Sequence, residues 1–203
     1  MRARGQLIAA IVAILFMGAA SHAWAEKGSY EVRFGVLYST PTGDYTEEGQ
    51  TTEMDSAFGF QASFEFGLTD LIGVEPGIAF LEHDVNVKEA GESDLKLGDM
   101  SLIPLTVNVN FHVLRGETVD LYVGPTVGYA FWGSLESELF QQDFPANDEF
   151  LYGANVGIDI PFGEGKWGFN AALSYLVLDA ELDGGPTMGV DPLQIKAGVL
   201  YKF

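Results

Sequence analysis

Few residues in this chain are suited to acid–base or metal chemistry. Among 203 residues there are three histidines and no cysteine, which excludes thiolate chemistry and a disulfide framework. His83 lies in the triplet Glu82-His83-Asp84, and His112 lies in an apolar alternating segment. No serine motif accompanies either histidine, although a Ser–His nucleophile needs that neighbour. A hard metal ion needs more converging oxygens than the triplet supplies. We therefore expect no enzyme activity, no metal site and no cofactor.

A second set of ionisable residues lies inside otherwise apolar segments. Each of them alternates with apolar neighbours, so in an extended strand it points to the opposite face. Pairing of opposite charges on that face would offset the cost of removing them from water. We predict an internal polar network, with a proton or ion path as the alternative, from six residues: Arg33, Glu65, Glu75, Asp120, Asp159 and Lys196.

The elements that position these charges are eight segments of period-two alternation. Their length is close to the ~9–11 residues that a tilted strand needs to cross a bilayer. The segments are 31–39, 58–68, 72–80, 103–113, 119–131, 150–162, 167–177 and 193–203. Connections alternate between short turns (69–70, 114–118, 163–166) and long acidic loops (40–55, 88–99, 133–149, 179–191). This layout predicts an all-β, eight-stranded antiparallel up-and-down transmembrane β-barrel.

A soluble β-sandwich or a lipocalin-like barrel would also show alternation. In such a fold the apolar face would be the interior. The six mid-strand charges would then lie on the outside together with glycine and polar residues, and nearly every interior position would be aromatic or large. A membrane barrel instead places lipid against the apolar face and encloses the charges in its interior. The pattern therefore favours a membrane protein.

The first 25 residues predict a signal peptide that is cleaved before Glu26. Arg2 and Arg4 precede an uncharged apolar run over 7–20, and Ala23-Trp24-Ala25 has the small-x-small pattern of a cleavage site. Residues 26–203 would form the barrel domain, in the outer membrane of a Gram-negative-type bacterium. The leader holds two of the ten basic residues and none of the 29 acidic ones. Such an acidic chain argues against binding to nucleic acid.

Three segments resemble the OmpW family of small outer-membrane proteins. They are "YEVRFGVLYSTP" (30–41), "SLIPLTVNVNFHV" (101–113) and "DLYVGPTVGY" (120–129). The resemblance implies a passive channel or binding barrel for small hydrophobic molecules. The last strand, with Ile195, Ala197, Val199, Tyr201 and the terminal Phe203 on one face, resembles the signal that the barrel-assembly machinery reads.

The inward residues divide by height if the short turns are periplasmic. An eight-stranded interior is just wide enough for side chains, so a wide pore is not expected. We predict an apolar cup above the charged network, and a small hydrophobic ligand in it. The alternative is a closed structural or adhesive barrel without transport, in which the same residues only pack the interior. The cup residues are Leu37, Leu81, Trp132, Leu151, Leu176 and Leu178.

Two further expectations concern the rim. Prolines interrupt strand pairing, so we expect a lateral exit to lipid near Pro41, Pro104, Pro125 and Pro192. Acidic loops are expected to bridge to lipopolysaccharide phosphates through Mg²⁺ or Ca²⁺. The loop residues are Asp44, Glu47, Glu48, Glu89, Glu92, Asp94, Glu136 and Glu138.

Overall fold

The computed structural model describes residues 30–47, 50–89, 95–116, 118–137, 142–163, 166–182 and 187–203. The predicted signal peptide lies outside these residues, as do Glu48, Glu92, Asp94 and Glu138 and the side chains of Glu47 and Glu89. Within the described part of the chain, no helix is long and apolar enough to cross a bilayer.

The described residues form fourteen strands. In chain order they are β1 (Tyr30–Thr40), β2 (Tyr45–Glu47), β3 (Gln50–Met54), β4 (Ala57–Gly67), β5 (Ile72–Glu89), β6 (Leu95–Arg115), β7 (Asp120–Trp132), β8 (Leu135–Ser137), β9 (Gln142–Phe144), β10 (Glu149–Pro161), β11 (Trp167–Val177), β12 (Asp179–Glu181), β13 (Thr187–Gly189) and β14 (Leu193–Lys202).

The eight long strands close into a barrel. Each pairs antiparallel with the strands before and after it in the ring β1-β4-β5-β6-β7-β10-β11-β14, and β14 pairs back onto β1. Closure leaves no long strand of the ring with an unpaired edge, which is what lipid requires of a spanning sheet. The predicted fold class, an all-β antiparallel up-and-down barrel of eight strands, is confirmed.

The connections that were expected to be loops carry regular structure at the long end of the barrel. β5 continues to Glu89 and β6 begins at Leu95, so much of the expected loop 88–99 is strand. β3 pairs with the extended part of β5, and β8 with that of β6. β12 and β13 form a separate hairpin. We call this end of the molecule the upper region, and the part below Leu81 on β5 the lower region.

The polarity of the two faces reverses along β5. Up to Phe80, which is 46% exposed, the outward residues are apolar and the inward residues are small or acidic, as at Glu75. From Leu81 onward the inward residues are mostly apolar and the outward residues are polar. Leu81 and Val85 are buried, whereas Glu82 and Asp84 are exposed. The upper region is therefore built like a water-soluble sheet, and the lower region like a wall in lipid.

Candidate functional site

A charged plug crosses the lumen in the lower region, with Arg33 at its centre. Because Arg33 is the second inward residue of β1, its side chain enters the barrel near the end with the short turns. The guanidinium nitrogens lie 3.1 Å from Glu65, 3.2 Å from Glu75 and 2.7 Å from Asp159. Glu31 is the fourth carboxylate, at 3.0 Å. One cation therefore ties together four strands, β1, β4, β5 and β10.

His112 forms a second junction of the plug. Its Nδ1 lies 2.7 Å from Asp120 Oδ1 and its Nε2 lies 2.9 Å from Glu65 Oε1. Both contacts are with carboxylate oxygens, so both ring nitrogens donate when the imidazole is protonated. At the short-turn end, Arg115 Nε lies 3.3 Å from Asp120 Oδ2 and Lys202 Nζ lies 3.0 Å from Glu31 Oε1. The carboxylates of the plug thus face several cations.

Neutral groups fill the space between these charges. Asn110 donates to Glu65 and to Glu75, each at 2.7 Å. Asn170 donates to Asp159 at 2.7 Å and to the Tyr122 hydroxyl at 2.9 Å. The Tyr122 ring lies 5.2 Å from the Arg33 guanidinium carbon. The ring has room only because residue 157 on the facing strand is glycine, since a Cβ there would overlap it.

The structure brings together five of the six charges predicted for the network. Arg33, Glu65, Glu75 and Asp159 are in direct contact, and Asp120 joins them through His112. Lys196 stands apart from those contacts. It lines a cavity of about 20 Å³ together with Glu75, Gln61, Thr106 and Asn108, among others, which is room for about one water molecule.

Sequence reasoning missed several members of the plug. Glu31, Asn110 and His112 are not among the six predicted residues, although each alternates with apolar neighbours in the segments 31–39 and 103–113. Their shared parity and their position near the short turns were the available signal. Among the described residues, no group of three or more His, Asp or Glu side chains converges on a point that would hold a metal ion. His83 Nδ1 instead contacts the backbone oxygen of Asp55 at 2.8 Å.

The six predicted cup residues lie together in the upper lumen. All are 3% exposed or less and belong to a single apolar cluster: Leu37, Leu81, Trp132, Leu151, Leu176 and Leu178. The hairpin β12–β13 adds Ala180 and Met188 to the same cluster. The Trp132 indole nitrogen donates to the backbone oxygen of Asp179 at 3.1 Å, so a residue of the cup wall holds this hairpin.

Prolines interrupt strand pairing beside the lumen. The β5–β6 pairing passes from Ile78–Leu105 to Leu81–Leu102 and omits the position of Pro104. The β6–β7 pairing likewise omits the position of Pro125. Pro104 also lines the small cavity. Pro41 and Pro192 lie just outside β1 and β14, at the upper rim.

Exposed ion pairs lie on the surface of the upper region. Lys96 Nζ lies 3.0 Å from Asp84 and 2.7 Å from Asp99, and Lys88 pairs with Glu53. The hydrogen bond from Lys96 lowers the pKa of the Asp84 carboxyl below its ordinary value. Screening by water keeps the contribution of such pairs to stability small.

Solved outer-membrane barrels share this fold. The crystal structure of OprG from Pseudomonas aeruginosa superposes with a TM-score of 0.77 at 22% identity, covering 87% of this chain and 96% of OprG. The solid-state NMR structure of AlkL in lipid bilayers gives a TM-score of 0.61 at 18% identity, covering 90% of this chain and 93% of AlkL. At these identities the likeness concerns the fold. Both superpose over nearly their full length, so this chain shares the barrel fold of these outer-membrane proteins.

Sequence comparison leads to the same class of protein. An uncharacterised outer-membrane protein of Sinorhizobium fredii, y4mB, is 26% identical over 126 residues, or 58% of this chain. The match spans about half of that relative, 55% of its length. The family model of the outer membrane protein beta-barrel domain matches residues 8–203. The apolar outer wall, the closed ring of eight strands and this match agree, and the chain belongs to the family of outer membrane protein beta-barrel domains.

Proposed function

We propose that the protein is a passive channel or binding barrel that takes small hydrophobic molecules into its upper lumen. The observation that carries this proposal is the apolar cup, whose six predicted side chains converge directly above the charged plug. An apolar solute gains free energy by leaving water for such a surface. Entry requires the β12–β13 hairpin to move, because this hairpin contributes to the cluster.

Lateral release into lipid is favoured over passage along the barrel axis. The plug places ionic contacts across the lower lumen, and an apolar molecule entering it would separate paired charges. The break in pairing beside Pro104 lies next to the cavity, at a level between cup and plug. It supplies a weakened point in the wall through which an apolar solute would reach the membrane.

Uptake and conductance measurements on two cup variants test this function. Trp132→Ala removes a wall residue and the hydrogen bond that holds the hairpin, and Leu176→Asp places a charge in the cup. We expect both to reduce uptake of apolar solutes into proteoliposomes by severalfold. The matched control is Leu200→Ala, a buried inward leucine outside the cluster, which should keep wild-type uptake. Unchanged transport by both cup variants would contradict the proposal.

The second candidate is a closed structural or adhesive barrel without transport. The near-complete burial of the cup side chains favours it, because a filled cup is simply the core of the upper region. Its structured upper strands would then serve as a contact surface. A conductance near zero in planar bilayers, combined with wild-type protein that neither takes up nor binds an apolar solute, selects this candidate.

Three partners complete the proposal. The outward wall contacts outer-membrane lipid. Phe203, which is 69% exposed beside Tyr201, is proposed to be read by the barrel-assembly machinery, and removal of Phe203 should slow assembly. The exposed carboxylates of the upper region, including Asp44 and Glu136, are proposed to bridge to lipopolysaccharide through divalent cations. Barrel stability that does not respond to a chelator would count against the last contact.

A further inference from the structure

A row of polar side chains crosses the wall of the apolar cup. Asn155 on β10 is paired in register with Ser174 on β11, Ser174 with Gln194 on β14, and Gln194 with Ser39 on β1. All four point inward and are 5% exposed or less. We call these four residues the polar row. Because barrel strands are tilted, the row climbs from the middle of β10 to the upper end of β1.

Each member of the polar row has a hydrogen-bonding atom that no described residue satisfies. These atoms are Asn155 Oδ1, Ser174 Oγ, Gln194 Nε2 and Ser39 Oγ. A buried polar atom without a partner costs about 1–3 kcal/mol, so four neighbouring instances are unusual for a well-packed interior. The other amide atom of Asn155 is used, since its Nδ2 donates to Asn110 at 3.0 Å. The row therefore starts at the plug and leads away from it.

Apolar cup residues border the row on the same strands. Ser39 lies two positions after Leu37, and Ser174 lies two positions before Leu176. Since residues two apart share one face of a strand, hydroxyl and leucine side chains line the same surface. A molecule in the cup would meet an apolar wall and a line of hydrogen-bonding groups together.

We propose that the cup binds molecules that carry one uncharged hydrogen-bonding group, such as a primary alcohol, on an apolar body. This inference rests on the proposed function and names the ligand class of the same site. Directly opposed residues on one face have Cβ atoms ~4.5–5.5 Å apart, so a ligand oxygen placed over the row is within hydrogen-bonding reach of two neighbouring members. The row offers donors and acceptors but no charge. Lys196 lies two positions from Gln194 on the same face of β14, and both line the cavity that Glu75 also lines. The Glu75 carboxylate would repel a second carboxylate there.

Titration of three eight-carbon probes tests this class. We would follow the side-chain amide resonances of Gln194 and Asn155 by NMR, with the protein in lipid nanodiscs. The probes are 1-octanol, n-octane and octanoate, with concentrations referred to the membrane phase. We expect 1-octanol to shift the Gln194 resonance and to bind roughly threefold to tenfold more tightly than n-octane, the worth of one net hydrogen bond.

The variant for this test is the double change Ser39→Ala and Ser174→Ala, which keeps the reporter amides. It should remove the preference for 1-octanol while leaving n-octane binding unchanged. Ser101→Ala, on the outward face of β6 opposite Glu82, is the matched control and should keep the preference. Heat-dependent migration in gels would check that each variant forms a barrel.

Two results overturn the inference in distinguishable ways. Equal binding of 1-octanol and n-octane by wild type, or tighter binding of octanoate, rejects the ligand class and leaves the apolar cup in place. Binding of none of the three probes rejects the cup itself and with it the proposed function.

Discussion

The lower and upper regions solve the same packing problem in opposite solvents. In the lower region Phe34 and Phe60 are 51% and 71% exposed on the outside, while Arg33 is buried among carboxylates inside. In the upper region Leu81 and Val85 are buried inside and Glu82 faces outward. β5 runs without a break from one region into the other. The difference teaches that one alternating strand can serve both solvents by exchanging the polarity of its two faces.

This exchange of polarity also indicates which interactions stabilise each region. Lipid gives the outer wall of the lower region its apolar surroundings, so the lumen there is free to hold charges that satisfy one another. The exposed Glu82 and Asp84 indicate water around the extended part of β5, where the inward face is the apolar core. Contact between the two regions occurs inside the lumen, where Asn110 of the plug meets Asn155 of the polar row.

The largest expected effect comes from removing the central cation of the lower region. Arg33→Met keeps an unbranched apolar stem but removes the guanidinium, which leaves Glu65, Glu75 and Asp159 without their shared partner. Breaking a buried ionic contact in this way costs about 3–5 kcal/mol. We expect a corresponding fall in the free energy of unfolding, measured by urea titration in lipid vesicles.

The matched control for that change is an exposed ion pair of the upper region. Lys88→Met removes the contact with Glu53 at a side chain that is 44% exposed. Because surface pairs contribute about 1 kcal/mol or less, unfolding should be nearly unchanged. Equal losses for Arg33→Met and Lys88→Met would show that the plug does not stabilise the lower region.

A charge placed on the outside should distinguish the two regions next. Val156 lies near the middle of β10 and is 49% exposed to the lipid side, so Val156→Arg is expected to cost about 2–4 kcal/mol. Glu82→Arg, on the outward face of the upper region, should change the unfolding free energy by about 0.5 kcal/mol or less. Similar costs at both positions would mean that lipid covers both regions alike.

The fold could be predicted from the sequence because alternation with a period of two residues indicates which face of a strand each side chain occupies. The eight long strands follow the alternating segments closely, for example over Trp167–Val177. β6 and β5 are the exceptions: β6 begins at Leu95, eight residues before its predicted start at Ile103, and β5 ends at Glu89, nine residues beyond its predicted end at Phe80. Beyond Phe80 the alternation continues, but the outward residues become polar and the inward residues become mostly apolar. A search for strands with an apolar outer face therefore ends at Phe80.

The residues of the plug could be predicted from the sequence better than the contacts between them. The inward parity of Arg33 and Asp159 placed both in the lumen, but the height at which their strands meet depends on register and tilt. Neutral groups such as Tyr122 and Asn170 carry no charge signal. Their role emerges only when β7, β10 and β11 are brought together around Arg33.

A smaller effect is expected from crowding the plug without changing its charge. Gly157→Ala places a Cβ against the Tyr122 ring, which stacks near Arg33. Overpacking of this kind costs about 1–3 kcal/mol, and urea unfolding would measure it. Gly189→Ala on β13 is the control, because its nearest neighbouring atom would lie 3.8 Å away. A loss at Gly189 as large as that at Gly157 would contradict the tight packing assigned to the plug.

The smallest expected effect concerns the ionised surface of the upper region. The hydrogen bond from Lys96 lowers the pKa of Asp84 in the folded protein. A lowered folded pKa gives stability that is present above the unfolded value, about 3.9, and is lost as the pH falls through the folded pKa. Asp84→Asn should therefore differ from wild type only slightly at pH 7, and the difference should vanish in strong acid. A difference that grew on acidification would have the wrong sign for this ion pair and would contradict a stabilising contact between Lys96 and Asp84.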